Sequence, residues 1–62
     1  MYIKITKDEF NKTNELSDLI TEKTDRSIDG IDFIYGKVNA SDFYNIAISL
    51  VGGTYIISDN EF

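Results

Sequence analysis

Neither cysteine nor histidine occurs in this chain, which removes the disulfides and the thiolate or imidazole metal sites that staple many very small domains. Serine-histidine and cysteine-histidine nucleophilic systems are excluded with them. A domain of 62 residues buries only about 60% of the surface its unfolded chain exposes. Its stability therefore has to come from packing, from a sheet or from self-association. The 42% apolar fraction, with Phe10, Phe33, Phe43, Phe62, Tyr2, Tyr35, Tyr44 and Tyr55 supplying the rings, is too high for a disordered chain. No proline, repeat or low-complexity linker marks a boundary, so residues 1–62 read as one small domain.

Eleven acidic against six basic residues leave a net charge of -5. That balance disfavours direct contact with nucleic-acid phosphates or an anionic bilayer and favours cationic protein surfaces. The longest apolar run falls well short of the roughly 18 residues of a membrane span, and Met1-Tyr-Ile-Lys-Ile-Thr has no basic leader followed by an apolar segment. A cytoplasmic protein is the expectation.

Met1 to Thr6 alternates, with Met1, Ile3 and Ile5 on one side and Tyr2, Lys4 and Thr6 on the other, the period of a half-buried strand. Thr6 and Glu9 have capping-box spacing, so a helix begins at about Lys7. Phe10, Leu16, Leu19 and Ile20 fall on one side of that helix, and Asp8, Glu15, Asp18, Glu22 and Asp25 on the other. Lys23 and Arg26 suit its C-terminal end, predicted at Lys23 to Asp25. Lys12-Thr13-Asn14 has poor helix propensity and marks where the element would break, with a second helix starting near Asn14.

Asp29-Gly30 is a turn signal, and Ile31 to Val38 reads as a strand. Over Phe43 to Val51 two patterns compete. Phe43, Ile46, Ala47 and Leu50 have helical spacing with Ser41 as cap, whereas Tyr44, Ile46, Ile48 and Leu50 fit a strand. A two-residue hairpin loop at Gly52-Gly53 would place Leu50 with Tyr55 and Ile48 with Ile57 on one apolar side, and this favours the strand. The expected fold is α+β, in the order β-α-β-β-β: one amphipathic helix packed on one face of a small, mostly antiparallel sheet.

The candidate site is the acidic row. Steps of three or four residues on a helix rise about 4.5–6 Å, near the roughly 6–7 Å between successive phosphates of a strand. Carboxylates so spaced can stand in for phosphates before a basic, nucleic-acid-binding protein. Asp8, Glu15, Asp18, Glu22, Asp25 and Asp29 are the expected partner-binding residues of a non-enzymatic inhibitor or modulator. The residue usage, rich in Ile, Asn, Asp and Lys, is that of A/T-rich coding sequences such as those of phages and mobile elements. An alternative is an assembly module that dimerises or binds a partner through its sheet face or an edge strand. Ile56, Val51 and Phe43 would lie on that second face, and Tyr2, Tyr35 and Tyr44 suit such contacts.

Asp25, Ser27, Asp29 and Gly30 resemble the start of a calcium loop, but Gly36 stands where a bidentate glutamate is required. No P-loop, dinucleotide glycine motif or metal-ligand helix is present. Neither a cofactor nor an enzymatic activity is expected.

Overall fold

The N-terminal alternation becomes strand β1, Tyr2–Thr6, in a computed structural model that describes residues 1–62. Ile3 and Ile5 are fully buried. Thr6 then caps helix α1, Lys7–Lys12, by accepting the Glu9 N–H at 3.3 Å, as the sequence spacing requires. The other half of the capping box is spent elsewhere. Glu9 is 6% exposed, and its carboxylate accepts the Val51 N–H at 2.6 Å, clamping the first helix to a segment 42 residues away.

The single long helix is corrected. Thr13 is extended at φ -114°, ψ 98°, a one-turn helix α2 spans Leu16–Leu19, and Ile20–Ile28 is strand β2. The β-branched residues Ile20, Thr21 and Thr24 favour a pleated chain, and the following turn decides the matter. Asp29 and Gly30 have φ of 52° and 82°, the two positive values of a type I′ hairpin turn, and they fold β2 onto β3, Ile31–Val38.

The second correction concerns Phe43 to Val51, where the helical spacing prevails as α3, Ala40–Ala47. Its cap is Asn39 and not Ser41: Asn39 Oδ1 accepts the N–H groups of Ser41 at 3.0 Å and Asp42 at 3.3 Å. Phe43 and Leu50 are buried, with Ile46 and Ala47 packed beside them. Gly52-Gly53 is consequently a helix-to-strand connection, with only Gly53 at positive φ, 88°. Strand β4, Tyr55–Ser58, pairs with β1 instead of with a hairpin partner.

The sheet order is β2-β3-β1-β4 with every neighbour antiparallel. The α+β class stands, whereas the element order is β-α-α-β-β-α-β. This connectivity is the split β-α-β pattern, also called ferredoxin-like, and by itself it assigns no activity. Ile3, Ile5, Ile20, Ile34 and Val38 form the sheet side of the core, closed by Leu16, Phe43 and Leu50.

One glycine sets how closely β2 approaches. Thr21 pairs with Lys37 and Thr24 with Tyr35, so Glu22 and Lys23 both oppose Gly36 in a β-bulge. A Cβ at Gly36 would lie 2.5 Å from Ile20 Cγ2 and 2.7 Å from the Thr21 carbonyl oxygen. Gly36→Ala is expected to lower the unfolding free energy by about 1–3 kcal/mol through overpacking. Gly52→Ala, where nothing lies within 4 Å, is the control for urea melts and should be near neutral. Glu9→Ala strands the Val51 N–H and should lower stability by about 1–3 kcal/mol, with Glu9→Gln less damaging.

Candidate interaction surface

Residues directly opposite in an antiparallel pair share a face. The pairs Tyr2/Lys37, Lys4/Tyr35, Thr6/Phe33, Lys4/Ile56 and Arg26/Phe33 therefore place these side chains together, on the side of the sheet away from Ile3 and Ile5. No helix covers this side. Its rings are covered by the protein's own cations: Lys4 Nζ lies 4.5 Å from the Phe33 ring centre and 5.8 Å from that of Tyr35. Arg26 Cζ lies 4.5 Å over Tyr35, and Lys37 Nζ 5.7 Å from Tyr2. All four distances are within the roughly 6 Å reach of a cation–π attraction.

The C-terminal residues cross part of the same face, with Phe62 edge-on to Tyr35 at 5.7 Å. Tyr35 is thereby only 9% exposed although it lies on the helix-free side. Tyr2, Glu22, Arg26, Lys37, Glu61 and Phe62 border a cleft of about 270 Å³ here, slightly below the usual range of small-molecule sites, about 300–1,000 Å³.

Charge is distributed unevenly. The ion pairs are Lys7–Asp25 at 3.1 Å and Lys37–Glu22 at 2.9 Å. Lys4 and Arg26 have no carboxylate partner, in a chain with eleven acidic residues. The Glu22 hydrogen bond, and then its charge, hold the Lys37 ammonium above its ordinary pKa, with Tyr2 and Glu61 adding to the effect.

The six acids expected on one helix face are dispersed by the corrected fold. Asp8 is in the first turn of α1, Glu15 immediately precedes α2 without a side-chain capping bond, and Asp18 lies within α2. Glu22 is in the bulge at φ 54°, and Asp29 is in the hairpin turn. Asp25, on β2, is engaged by Lys7, and Glu22 by Lys37. Of the six, only Glu15 and Asp18 come together, joined by Asp42 from α3 around one shallow hollow. Asp25, Ser27 and Asp29 run along a strand into a turn, with Ser27 bonded to Asp32 across the hairpin.

Of the residues expected on or beside a second sheet face, Tyr2, Tyr35 and Ile56 lie on the helix-free side, whereas Phe43 is a core residue of α3, Tyr44 is also on α3 and Val51 follows that helix. Alternation along Ile31–Val38 separates Phe33, Tyr35 and Lys37 from Ile34, Gly36 and Val38, and that signal was present in the sequence. The strand bearing Arg26 is not legible because its first part, Ile20 to Asp25, has the spacing of the end of a helix. No helix is long and apolar enough to cross a membrane. No family model, curated protein or solved structure matches the chain, so the surface itself carries the functional argument.

Because the Lys37 pKa is raised, its pairing with Glu22 favours the folded state below the ordinary lysine value and ceases to do so as pH rises through the raised one. An NMR titration of the Lys37 side chain should show a midpoint above that of unfolded lysine. Glu22→Gln should bring it down toward the ordinary value.

Proposed function

We propose that this chain is a non-catalytic binding module that engages a partner protein through the helix-free face of its sheet. The carrying observation is the pairing of aromatic rings with cations lacking acidic partners, Lys4 over Phe33 and Arg26 over Tyr35. Aromatic and arginine side chains are the residue types that dominate interface energetics. An anionic segment carrying apolar side chains satisfies both halves of the surface, its carboxylates meeting Lys4 and Arg26 and its apolar groups the ring edges. A nucleic-acid strand suits it less well, because the ring faces on which bases would stack already hold these cations.

A second reading retains phosphate imitation toward a basic partner. Glu15 and Asp18 are exposed without ion pairs, and Asp42 lies beside them. Glu15 and Asp18 are what remains of the acidic row as a cluster, with Asp42 added from α3, and all three lie on the helix layer, away from the rings.

Variants separate the two. In capture from lysate with tagged protein, Lys4→Glu with Arg26→Glu should reduce the bound partner at least tenfold, and Phe33→Ala should do likewise in a chain whose melt confirms folding. Glu15→Gln, Asp18→Asn and Asp42→Asn together should leave capture within about twofold. Loss of capture in the amide variant alone selects the phosphate-imitation reading and rejects the sheet face.

A further inference from the structure

We infer that two copies of this chain join through their β4 edges into one continuous eight-stranded sheet. The Thr6 N–H donates to the Thr54 carbonyl, so in the antiparallel β1–β4 ladder the backbone groups of Thr54, Ile56 and Ser58 turn toward β1. Those of Tyr55 and Ile57 turn outward. Strand β4 is the last in the sheet order, which leaves these outward groups without a strand partner.

The two sheet edges are built differently. Strand β2 carries Glu22, Lys23, Asp25 and Arg26 and a bulge, features that keep an edge from pairing. Strand β4 has the sequence Tyr-Ile-Ile-Ser, with no charge. Two molecules of charge -5 repel, and a strand free of charged side chains offers their backbones a close approach without opposing carboxylates across the seam.

Helix α3 lies along the same edge, on the core side of the sheet and opposite the side that carries Ile56. Asp42, Asn45 and Ile46 face α2 across their shared hollow, and Phe43 packs on Tyr55 of β4 at 5.3 Å. Helical periodicity then turns Tyr44 and Ile48 to the flank away from α2, on the β4 side. Tyr44 is 66% exposed, Ile48 93% and Ile56 54%.

The occupant is a second copy because antiparallel pairing of one strand with itself about a two-fold axis is self-complementary. With the axis at Ile56, Tyr55 exchanges hydrogen bonds with Ile57 of the second copy, and Ile57 with its Tyr55. The two Ile56 residues then form a non-hydrogen-bonded pair, about 4.5 Å apart at Cα. The apolar strip is narrow against the roughly 800 Å² per partner of a standard interface, so the dimer dissociates on dilution.

Two measurements test this. In sedimentation equilibrium the wild-type mass should rise from 7.1 kDa toward twice that value between about 1 μM and 1 mM, the range of a weak interface, and Ile48→Lys should shift the midpoint at least tenfold higher. The chain has no native cysteine, and a Cα separation near 4.5 Å lies within the span a disulfide can bridge. Ile56→Cys should therefore form an interchain disulfide at least tenfold faster than Ile28→Cys, an exposed position near the other edge. A wild-type chain that stays at monomer mass at 1 mM, leaving the edge to another protein, overturns the inference. So do assemblies larger than a dimer, or equal oxidation rates at positions 56 and 28.

Discussion

Where Gly36 carries no side chain, Ile20 occupies the space, and the remaining organisation depends on that close approach. With Ile20 seated against β3, the chain has one residue too many for regular pairing, and Glu22 and Lys23 bulge opposite a single glycine. The bulge sends its two side chains to opposite sides of the sheet. Glu22 reaches Lys37 on the helix-free side at 2.9 Å. Lys23 turns back, its ammonium donating to the carbonyls of Ser17 and Ile20, each at 2.9 Å. There it satisfies acceptors left over at the end of α2. One irregularity thus fixes the helix-to-strand junction, the seating of Ile20 in the core and the edge of the candidate surface.

Net charge, the strongest compositional signal, gives an incomplete account of the surface because it says nothing of placement. Lys4, Arg26 and Lys37 gather on the helix-free face, with Glu22 and Glu61 beside them. Asp8, Glu15, Asp18 and Asp42 lie on the helices. A chain of charge -5 can therefore present a locally cationic, aromatic surface to a partner at distances shorter than the ~8–10 Å Debye length.

Local signals that involve backbone geometry were legible in the sequence. Thr6 caps Glu9, Asp29-Gly30 turns a hairpin, and the alternation of Met1 to Thr6 yields a strand. The errors arose where two periods overlap. Carboxylates spaced by three, four or seven residues mimic a helix face from Asp8 to Asp25, yet charged side chains at solvent positions are compatible with either a helix or an edge strand. Long-range pairing with β3 decided for the strand beyond Ile20. For Phe43 to Leu50 the helical pattern was also visible, and the glycine pair argued wrongly against it. The partner of β4 is β1, about 50 residues earlier in the chain, and no local rule reveals such a pairing. The acidic row dispersed for the same reason, because its coherence required the helix that the hairpin replaced.

A chain of this length has enough helix to cover one side of a four-stranded sheet. The other side has to remain tolerable in water. It does so by laying the aliphatic stems and charged heads of Lys4 and Arg26 over Phe33 and Tyr35, which shields apolar surface while keeping the charges hydrated. On the proposed reading, the same arrangement makes the face selective. A neutral apolar partner that displaces Lys4 from Phe33 removes a cation–π contact and partly desolvates an ammonium, and it returns nothing to either. A partner that brings a carboxylate with its apolar group restores a charge-assisted hydrogen bond as it covers the ring. On the proposed reading, the cations that shield the uncovered rings from water are also the groups that discriminate among the surfaces able to cover them.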